Sequence, residues 1–209
     1  GIQVLEGYGI TECSPVISCN RNVSRLVGSV GVKAPDEFCQ IKIIDGELCV
    51  RGDIVFREYF RNEKETQAAK PDGWFHTGDI CDMDEDGYIH ITGRKKNLII
   101  LSDGNNVSPE EIEGYFCSHP YIKSMFISEH SSRRNCLVAS VHPNFEIFEE
   151  AEKMDIHLKI NEHIKEINRR LPAFKRIGKV VFYDEDFEKT ALGKIRRFKY
   201  IQENNANAG

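Results

Sequence analysis

The 209-residue sequence predicts an α+β protein with a β-rich first half and a mixed second half. Two observations carry this prediction. Short runs of alternating apolar and polar residues, separated by Gly and Pro, fill the first half and are typical of half-buried strands. In the second half, apolar residues recur at helical spacing between further strand-like runs. Hydrophobic residues make up 40% of the chain, which is enough for a packed core and argues against disorder.

In the first half, three strands are predicted at residues 40–44, 47–51 and 88–92. Asp45 and Gly46 separate the first two strands, and an Asp-Gly pair between alternating runs indicates a two-residue hairpin turn. Residues 63–69 predict a short helix, which ends before the turn residues 71–73.

The second half contains a clear helix start at Ser108. Ser108 stands at the N-cap position, Pro109 follows in the first turn, and Glu111 lies three residues after the serine. This spacing predicts a capping box, in which the two side chains satisfy free backbone donors. The helix is expected to end before Pro120, with three apolar residues on one face: Ile112, Tyr115 and Phe116.

Further strands are predicted at residues 121–128, 136–141 and 177–183. Between the last two, a helix ending at Pro172 is marked by an apolar stripe at Ile160, Ile164, Ile167 and Leu171. The polar tail, residues 202–209, is expected to fray.

Composition narrows the class of protein. The net charge of -5 and the pI near 5.8 argue against a dedicated nucleic-acid binder, which needs an excess of Lys and Arg. The sequence lacks both a run of about 20 apolar residues that could cross a bilayer and the pattern of a secretory signal. A cytoplasmic protein is therefore expected. A local excess of charge, 10 basic against 4 acidic residues in 169–199, indicates a solvated face or a phosphate-binding patch.

The cysteines and histidines do not form a recognisable metal or disulfide pattern. The seven cysteines include no C-x-x-C pair, and their spacing fits neither a disulfide framework nor a zinc site. They are interpreted as reduced thiols that mostly fill the core. Because the seven histidines are also dispersed, a histidine-based metal site is not expected.

Residues 82–87, Asp-Met-Asp-Glu-Asp-Gly, match the start of a calcium-binding EF-hand loop. The twelfth position of such a loop would be Gly93 rather than the bidentate glutamate. Residues 88–92 also alternate like a strand where the second helix should begin. An acidic β-turn is therefore preferred to a calcium site.

Two segments offer chemistry that suits a nucleotide. Residues 7–12 combine glycines with an aromatic ring at Tyr8, a hydroxyl at Thr11 and a carboxylate at Glu12. These groups could stack on a base, bind a phosphate and hold Mg²⁺, although a tight turn with a packed tyrosine explains them equally well. Asp79 follows a glycine and could accept hydrogen bonds from a ribose diol.

Two basic segments extend this pattern. Arg94 offers a planar fork of donors next to Lys95 and Lys96, a group suited to ribose or phosphate oxygens. Lys194 follows a glycine in a predicted exposed loop and could stabilise charge that develops at a reacting carboxylate or phosphate. Taken singly, the Asp79 and Arg94 segments are more often surface turns, and a solvated lysine in a mobile loop explains Lys194 equally well.

The order of these motifs resembles the adenylate-forming superfamily of acyl-CoA synthetases, peptide adenylation domains and luciferases. The motifs are Tyr-Gly-Ile-Thr-Glu at 8–12, His-Thr-Gly-Asp at 76–79, Gly-Arg-Lys-Lys at 93–96, the segment 104–113, and Gly-Lys at 193–194. The sequence looks closest to bacterial long-chain fatty acid CoA ligases. The resemblance implies that a carboxylate attacks Mg·ATP to give an acyl-adenylate, after which the thiol of CoA displaces AMP.

The resemblance also implies roles for residues of the first motif. Tyr8 is expected to lie against the adenine, with Gly9 among the nucleotide-binding residues. Thr11 is expected to contact phosphate, and Glu12 to help hold Mg²⁺, so both are placed in the catalytic group.

Five later residues receive roles on the same basis. Asp79 and Arg94 are expected to grip the ribose hydroxyls. Lys194 would bridge carboxylate and phosphate oxygens during adenylation. Lys96 falls at the hinge of the family, and Gly104 would face the active site in the thioester-forming pose.

In this interpretation the chain is a fragment that is inactive alone. Residues 1–95 would be the β-rich end of the large domain, with strands of a distorted barrel, and residues 96–209 the complete small α+β domain. Fatty acid, ATP and CoA are the expected partners, without nucleic acid or a transmembrane segment, and peripheral membrane contact of the whole enzyme is left open. Two alternatives are an adenylation domain that loads a carrier-protein thiol and a non-catalytic module that binds phosphate or nucleic acid.

Overall fold

The computed structural model describes residues 2–35, 37–116, 118–130, 133–147, 153–191 and 193–206, with backbone alone described at 153–154 and 202–206. The chain divides into two compact units, Gly1–Lys96 and Asn97–Gly209. The fold is the predicted α+β class, rich in strands.

The first unit is built from two antiparallel sheets and one short helix. The smaller sheet has the order β1 (Gly7–Gly9), β2 (Val16–Cys19), β3 (Val32–Lys33). The larger sheet has the order β4 (Gln40–Ile44), β5 (Glu47–Arg51), β6 (Phe75–Met83), β7 (Ile89–Arg94). Both sheets are open, so the described strands of this unit form no closed barrel. Helix α1, Glu63–Ala69, has the predicted bounds.

Both predicted turns of this unit are present. Asp45 and Gly46 join β4 to β5 with positive φ angles of 50° and 79°, as a twisted two-residue hairpin requires. The acidic loop is a β-turn, in which the Asp84 carboxylate accepts hydrogen bonds from the backbone amides of Asp86 (3.1 Å) and Tyr88 (2.8 Å). A strand follows at Ile89, so the preference for a turn over an EF-hand is confirmed.

The burial of β5 differs from the expected alternation. Four successive residues, Glu47 to Val50, are buried, because both faces of the strand are covered. Leu48 and Val50 join one apolar cluster with Ile17, Phe75 and Ile89. Glu47 is thus a carboxylate within the buried part of the sheet.

The second unit combines a three-stranded sheet with helices. The sheet has the order β10 (Ile122–Glu129), β11 (Leu137–Pro143), β12 (Ile177–Phe182), with the first pair antiparallel and the second parallel. A small hairpin, β8 (Ile99–Ile100) with β9 (Asn106–Val107), precedes the helices α2 (Pro109–Gly114), α3 (Lys153–Arg170) and α4 (Arg197–Ala206).

Helix α3 presents the predicted stripe to the sheet. Ile160, Ile164 and Ile167 are buried together with Leu171, and they join the main core of the unit. This core also takes Ile112 and Phe116 from the α2 region. The spacing of apolar residues therefore identified the packed face of both segments.

Three expectations in this unit are wrong. Ser108 is the N-cap of α2 but makes no side-chain capping bond, and Glu111 instead forms an ion pair with Lys175 (2.7 Å). Helix α2 ends at Gly114, which leaves Tyr115 47% exposed rather than on the buried face. The expected frayed tail is helical through Ala206, and residues 207–209 lie outside the described part.

Five of the six described cysteines are buried, which confirms the prediction that the cysteines mostly fill the core. Cys19 is exposed, and Cys117 lies outside the described residues. Within the described residues, no helix is long and apolar enough to span a membrane.

The packing of α3 generates a stability prediction. Ile160→Ala should lower the free energy of unfolding by about 2–5 kcal/mol, because Ile160 is fully buried and its loss leaves a cavity. Leu158→Ala on the same helix, where the side chain is 57% exposed, should change it much less. Urea unfolding followed by circular dichroism measures both variants. Equal losses of unfolding free energy in the two variants would contradict the burial of Ile160 and the exposure of Leu158.

Candidate functional site

Three of the predicted site residues meet at one carboxylate in the first unit. Asp79 on β6 and Arg94 on β7 are direct partners in the strand register, which places their side chains side by side. The guanidinium Nε of Arg94 lies 2.7 Å from Asp79 Oδ1. The hydroxyl of Tyr8 on β1 donates a hydrogen bond to Asp79 Oδ2. The structure thus joins residues that lie up to 86 positions apart.

The surroundings fix this carboxylate. Asp79 is 3% exposed, and its backbone amide donates to the hydroxyl of Thr77 (3.0 Å). Thr77 in turn donates to the Leu48 carbonyl (2.8 Å), which ties the turn to β5. Burial, reinforced by the neighbouring Asp79 carboxylate, raises the pKa of Tyr8 well above its usual value. Tyr8 therefore remains a neutral donor at physiological pH.

The Tyr8–Asp79–Arg94 cluster has the chemistry to hold a diol. A carboxylate accepts hydrogen bonds from hydroxyl groups, and a guanidinium donates to their oxygens. The Arg94 side chain is 43% exposed, so its remaining donors can reach a ligand from solvent, while Asp79 is held in place below it. Neighbouring hydroxyls on one ligand would match both groups.

Glu12 and Thr11 lie on a separate segment, the short 3₁₀ helix Thr11–Cys13. Glu12 Oε1 accepts a hydrogen bond from the Tyr59 hydroxyl (3.0 Å), and its backbone carbonyl accepts from the Phe56 amide (2.8 Å). Thr11 is exposed. The donor set fits Mg²⁺, since a half-buried carboxylate next to a hydroxyl is a common way to hold this ion with phosphate oxygens.

Tyr59 was not predicted from the sequence. It lies in an irregular segment between β5 and α1, and no motif or period marks it. Its hydroxyl nevertheless orients the Glu12 carboxylate, and burial raises the pKa of Tyr59. The one sequence feature that could have identified Tyr59 is an aromatic residue in a loop, and this feature is weak evidence for a functional role.

Gly9 has a structural reason to be glycine. A Cβ at this position would lie 1.9 Å from the Pro15 carbonyl oxygen, which no side chain could tolerate. The close approach of the backbone lets β1 pair with β2 immediately after the 3₁₀ turn. Gly9 therefore shapes the segment that carries Tyr8 and Glu12.

A second buried carboxylate, Glu47, supports the turn before Asp79. Glu47 Oε1 accepts a hydrogen bond from the Gly78 amide (2.9 Å), and Oε2 lies 2.7 Å from Lys95 Nζ and 3.0 Å from His76 Nδ1. Burial by itself would raise the pKa of Glu47, but hydrogen bonds from Lys95, His76 and Gly78 hold it below the usual value. Glu47 thus stays ionised, and its sequence pattern did not single it out because it marks residues 47–51 only as a strand.

Lys96 lines a shallow surface cavity of about 350 Å³ with Gly78, Arg94 and Lys95. The cavity adjoins the Tyr8–Asp79–Arg94 cluster through Arg94. Three of its four lining residues are basic, which suits an anionic ligand.

Gly104 and Lys194 belong to the second unit. Gly104 occupies the turn between β8 and β9, where its φ is +87° and its amide donates to the Leu101 carbonyl (3.0 Å). Lys194 is exposed at the end of a tight turn in which the Gly193 and Lys194 amides donate to Thr190, through its carbonyl (2.8 Å) and its hydroxyl (3.2 Å). Lys194 is thus exposed outside the regular helices and strands, as expected for the predicted loop.

An ionic network fixes the chain that leaves this turn. Arg197, the first residue of α4, lies 2.8 Å from Glu113 Oε2 and 3.3 Å from Glu110 Oε1. Glu113 Oε1 also accepts the Ile127 amide (2.7 Å). These contacts tie α4 to α2 and β10, three residues after Lys194.

The basic cluster of residues 169–199 is largely paired within the unit. Its ion pairs are Arg170 with Glu166, Lys175 with Glu111, Lys189 with Asp186, Arg196 and Lys199 with Glu188, and Arg197 with Glu110 and Glu113. Local carboxylates therefore neutralise much of the patch, which reduces its attraction for phosphates.

Residues 96–207 match the family described as AMP-binding enzyme C-terminal domain. The long-chain-fatty-acid–CoA ligase FadD15 of Mycobacterium bovis is 42% identical over 127 residues, which cover 61% of this chain and 21% of that protein. The long-chain-fatty-acid–CoA ligase of Escherichia coli O157:H7 is 34% identical over 209 residues, covering 94% and 35%.

Among solved structures, the anthranilate CoA ligase AuaEII in complex with anthranoyl-AMP matches with a TM-score of 0.78 and 26% sequence identity. The match covers 100% of this chain and 41% of that one. The chain therefore spans between about a fifth and two fifths of the length of these similar proteins.

Glu113 generates a pH prediction. Burial raises its pKa from 4.5 to about 7 and outweighs the opposing contacts with Arg197 and the Ile127 amide. The folded state then binds more protons than the unfolded state between these values. The stability from this group is present below pH 4.5 and is lost as pH rises through about 7.

Glu113→Gln should flatten this part of the pH profile, removing a loss on the order of 2 kcal/mol. Urea unfolding of the wild-type and variant chains across this pH range measures it, with Glu162→Gln, a substitution on α3, as a control. An unchanged slope in Glu113→Gln would show that Glu113 does not titrate in this way.

Proposed function

The chain belongs to the AMP-binding enzyme family, and we propose that it is the C-terminal part of an ATP-dependent acyl-CoA ligase. The reaction would join a carboxylic acid to the α-phosphate of ATP and then transfer the acyl group from the adenylate to the thiol of CoA. The observation that carries the proposal is the convergence of Tyr8, Arg94 and Asp79. The CoA ligases among the similar proteins and the anthranoyl-AMP in one of them support the reaction class.

The Tyr8–Asp79–Arg94 cluster would bind the ribose of the nucleotide. Asp79 would accept a hydrogen bond from a ribose hydroxyl, and Arg94 would donate to a ribose oxygen from its exposed face. Tyr8, held by Asp79, would present its ring to the adenine. A buried carboxylate with fixed neighbours costs little reorganisation on binding, which favours this assignment.

Thr11 and Glu12 would act at the phosphates. The Thr11 hydroxyl would donate to a phosphate oxygen, and Glu12 would hold Mg²⁺ while Tyr59 orients its carboxylate. When bound, Mg²⁺ neutralises phosphate charge. Gly9 would contribute through the backbone of the same segment.

Lys194 would act in the first step of the reaction. Its ammonium group would bridge the attacking carboxylate and the α-phosphate, where negative charge accumulates in the transition state. We assign residues 1–95 to the large domain and 96–209 to the small domain, with the hinge at Lys96. Rotation about this hinge would withdraw Lys194 and bring the loop at Gly104 toward the adenylate for thioester formation.

A long-chain fatty acid is the proposed acyl substrate, and support comes from the names of the two bacterial relatives. The acyl pocket of such an enzyme would be supplied by sequence outside this chain, which spans about a third of the E. coli relative. The cytoplasmic location stays a prediction.

An adenylation domain that loads a carrier-protein thiol would use the same residues in the first step, so the thiol acceptor separates it from the leading proposal. The non-catalytic nucleic-acid module has less support, because the ion pairs of the basic cluster leave fewer cations for phosphate.

The ribose assignment is tested in the complete enzyme that contains this chain. Asp79→Asn should raise the KM for ATP about 10- to 100-fold, since a hydrogen bond to a charged group contributes roughly 1.5–3 kcal/mol. Asp82→Asn, an exposed position on the same strand, is the matched control and should leave the KM unchanged. Equal KM values for the two variants would rule out a ribose role for Asp79.

The role of Lys194 is tested by separating the two half-reactions in that enzyme. Lys194→Ala should lower the rate of adenylation about 10²- to 10³-fold and leave thioester formation from preformed acyl-adenylate nearly intact. Lys179→Ala, an exposed lysine on β12, is the control. Comparable losses in both half-reactions would refute a role confined to adenylation.

A further inference from the structure

Three side chains with metal-binding atoms meet on the larger sheet, near Lys95. Cys49 on β5 and His76 on β6 are direct partners in the strand register. Cys49 Sγ lies 3.6 Å from His76 Nδ1, and His76 Nδ1 lies 3.0 Å from Glu47 Oε2. All three atoms lie within 4.8 Å of one another.

These separations suit a tetrahedral ion. Zinc bonds of about 2.0–2.3 Å to nitrogen, oxygen and sulfur place neighbouring ligand atoms roughly 3.3–3.6 Å apart. The Cys49–His76 separation already has this value, and the Glu47–His76 separation is slightly shorter. The third pair, Glu47 and Cys49, lies within 4.8 Å, and side-chain rotation would have to bring it to the same spacing.

The surrounding groups hold two of the three side chains in this orientation. His76 Nε2 lies 3.2 Å from Asp72 Oδ1, which leaves Nδ1 directed at Cys49 and Glu47. A carboxylate on the second imidazole nitrogen is the usual support of a metal-binding histidine. The Gly78 amide holds Glu47 through its other oxygen, Oε1.

Charge also favours a cation at this point. Cys49 is fully buried and Glu47 is 2% exposed, so the carboxylate needs a positive partner. Lys95 now fills that role, with Nζ 2.7 Å from Glu47 Oε2, but its side chain is 56% exposed and can turn to solvent. An ammonium group of this kind is a displaceable substitute for a metal ion.

We propose that Glu47, Cys49 and His76 form a binding site for a thiophilic divalent cation, with Zn²⁺ as its best match. One thiolate, one carboxylate and a neutral imidazole balance the charge of the ion. The proton of the thiol and any proton on His76 Nδ1 pass to solvent, and Lys95 leaves Glu47. Three protein ligands leave the fourth position to water.

Binding of the cation would change the contacts of Lys95 and therefore the surroundings of residues 94–96. Lys95 is displaced from the carboxylate that also holds Gly78, next to Arg94 and Lys96 in the basic cavity. Binding of the cation does not depend on the proposed ligase reaction, since none of Glu47, Cys49 and His76 has a role assigned in that reaction. Failure of one proposal therefore leaves the other standing.

The test is a titration of the 209-residue chain with Co²⁺, whose thiolate complexes absorb in the near ultraviolet, followed by displacement with Zn²⁺. The wild-type chain should show this absorption with a stoichiometry of one. Cys49→Ser should abolish the band, and Asp72→Asn should weaken binding about 10- to 100-fold. Cys19→Ser, which removes an exposed thiol, should leave the absorption band and the affinity for the ion unchanged.

Lys95→Met gives a second test that does not disturb the core. Removal of the competing ammonium should tighten Zn²⁺ binding at least several-fold, whereas a site elsewhere on the chain would not respond. The proposal is overturned by a thiolate band that survives in folded Cys49→Ser, or by unchanged or weaker binding in Lys95→Met. Circular dichroism of each variant establishes that it is folded.

Discussion

The buried carboxylate of Asp79 is the interaction on which the candidate site depends. An aspartate that is 3% exposed is tolerated because Arg94 and Tyr8 bind both of its oxygens and Thr77 holds its backbone amide. The register of β6 with β7 places Asp79 opposite Arg94, so the sheet itself creates the pair. Removal of Arg94 would leave a buried charge without its strongest partner. The same arrangement presents fixed polar groups to a ligand without reorganisation.

In the second unit, a network of ion pairs holds the chain next to Lys194. An exposed lysine can act at a defined point only if its loop has a fixed base, and Arg197 provides that base by binding Glu113 and Glu110 on α2. Thr190 also holds the backbone at Lys194, because its carbonyl and hydroxyl accept hydrogen bonds from the Gly193 and Lys194 amides. Each unit therefore holds its candidate site residue on a base of hydrogen bonds and ion pairs.

The sequence predicted elements whose pattern is local. Helix α1, the Asp45–Gly46 hairpin and the apolar stripe of α3 follow from spacing and turn chemistry, and the structure confirms them. The capping box failed because Glu111 found a stronger partner, Lys175, 64 positions away. The burial of Glu47 has a similar cause, because its carboxylate is held by Lys95, 48 positions away, and by Gly78 and His76 on the neighbouring strand. Tyr59, Lys95 and the contact of Cys49 with His76 arise from tertiary packing that no local pattern reveals.

The central claim is that Asp79 recognises the ribose hydroxyls of a nucleotide. A thermodynamic cycle in the complete enzyme tests it most directly, with calorimetry of AMP and 2′,3′-dideoxy-AMP binding to the wild-type protein and to Asp79→Asn. The account predicts that loss of the hydroxyls weakens binding at least tenfold in the wild-type protein and far less in the variant. An equal loss of affinity in both proteins would contradict it, because the hydroxyls would then be bound by other residues.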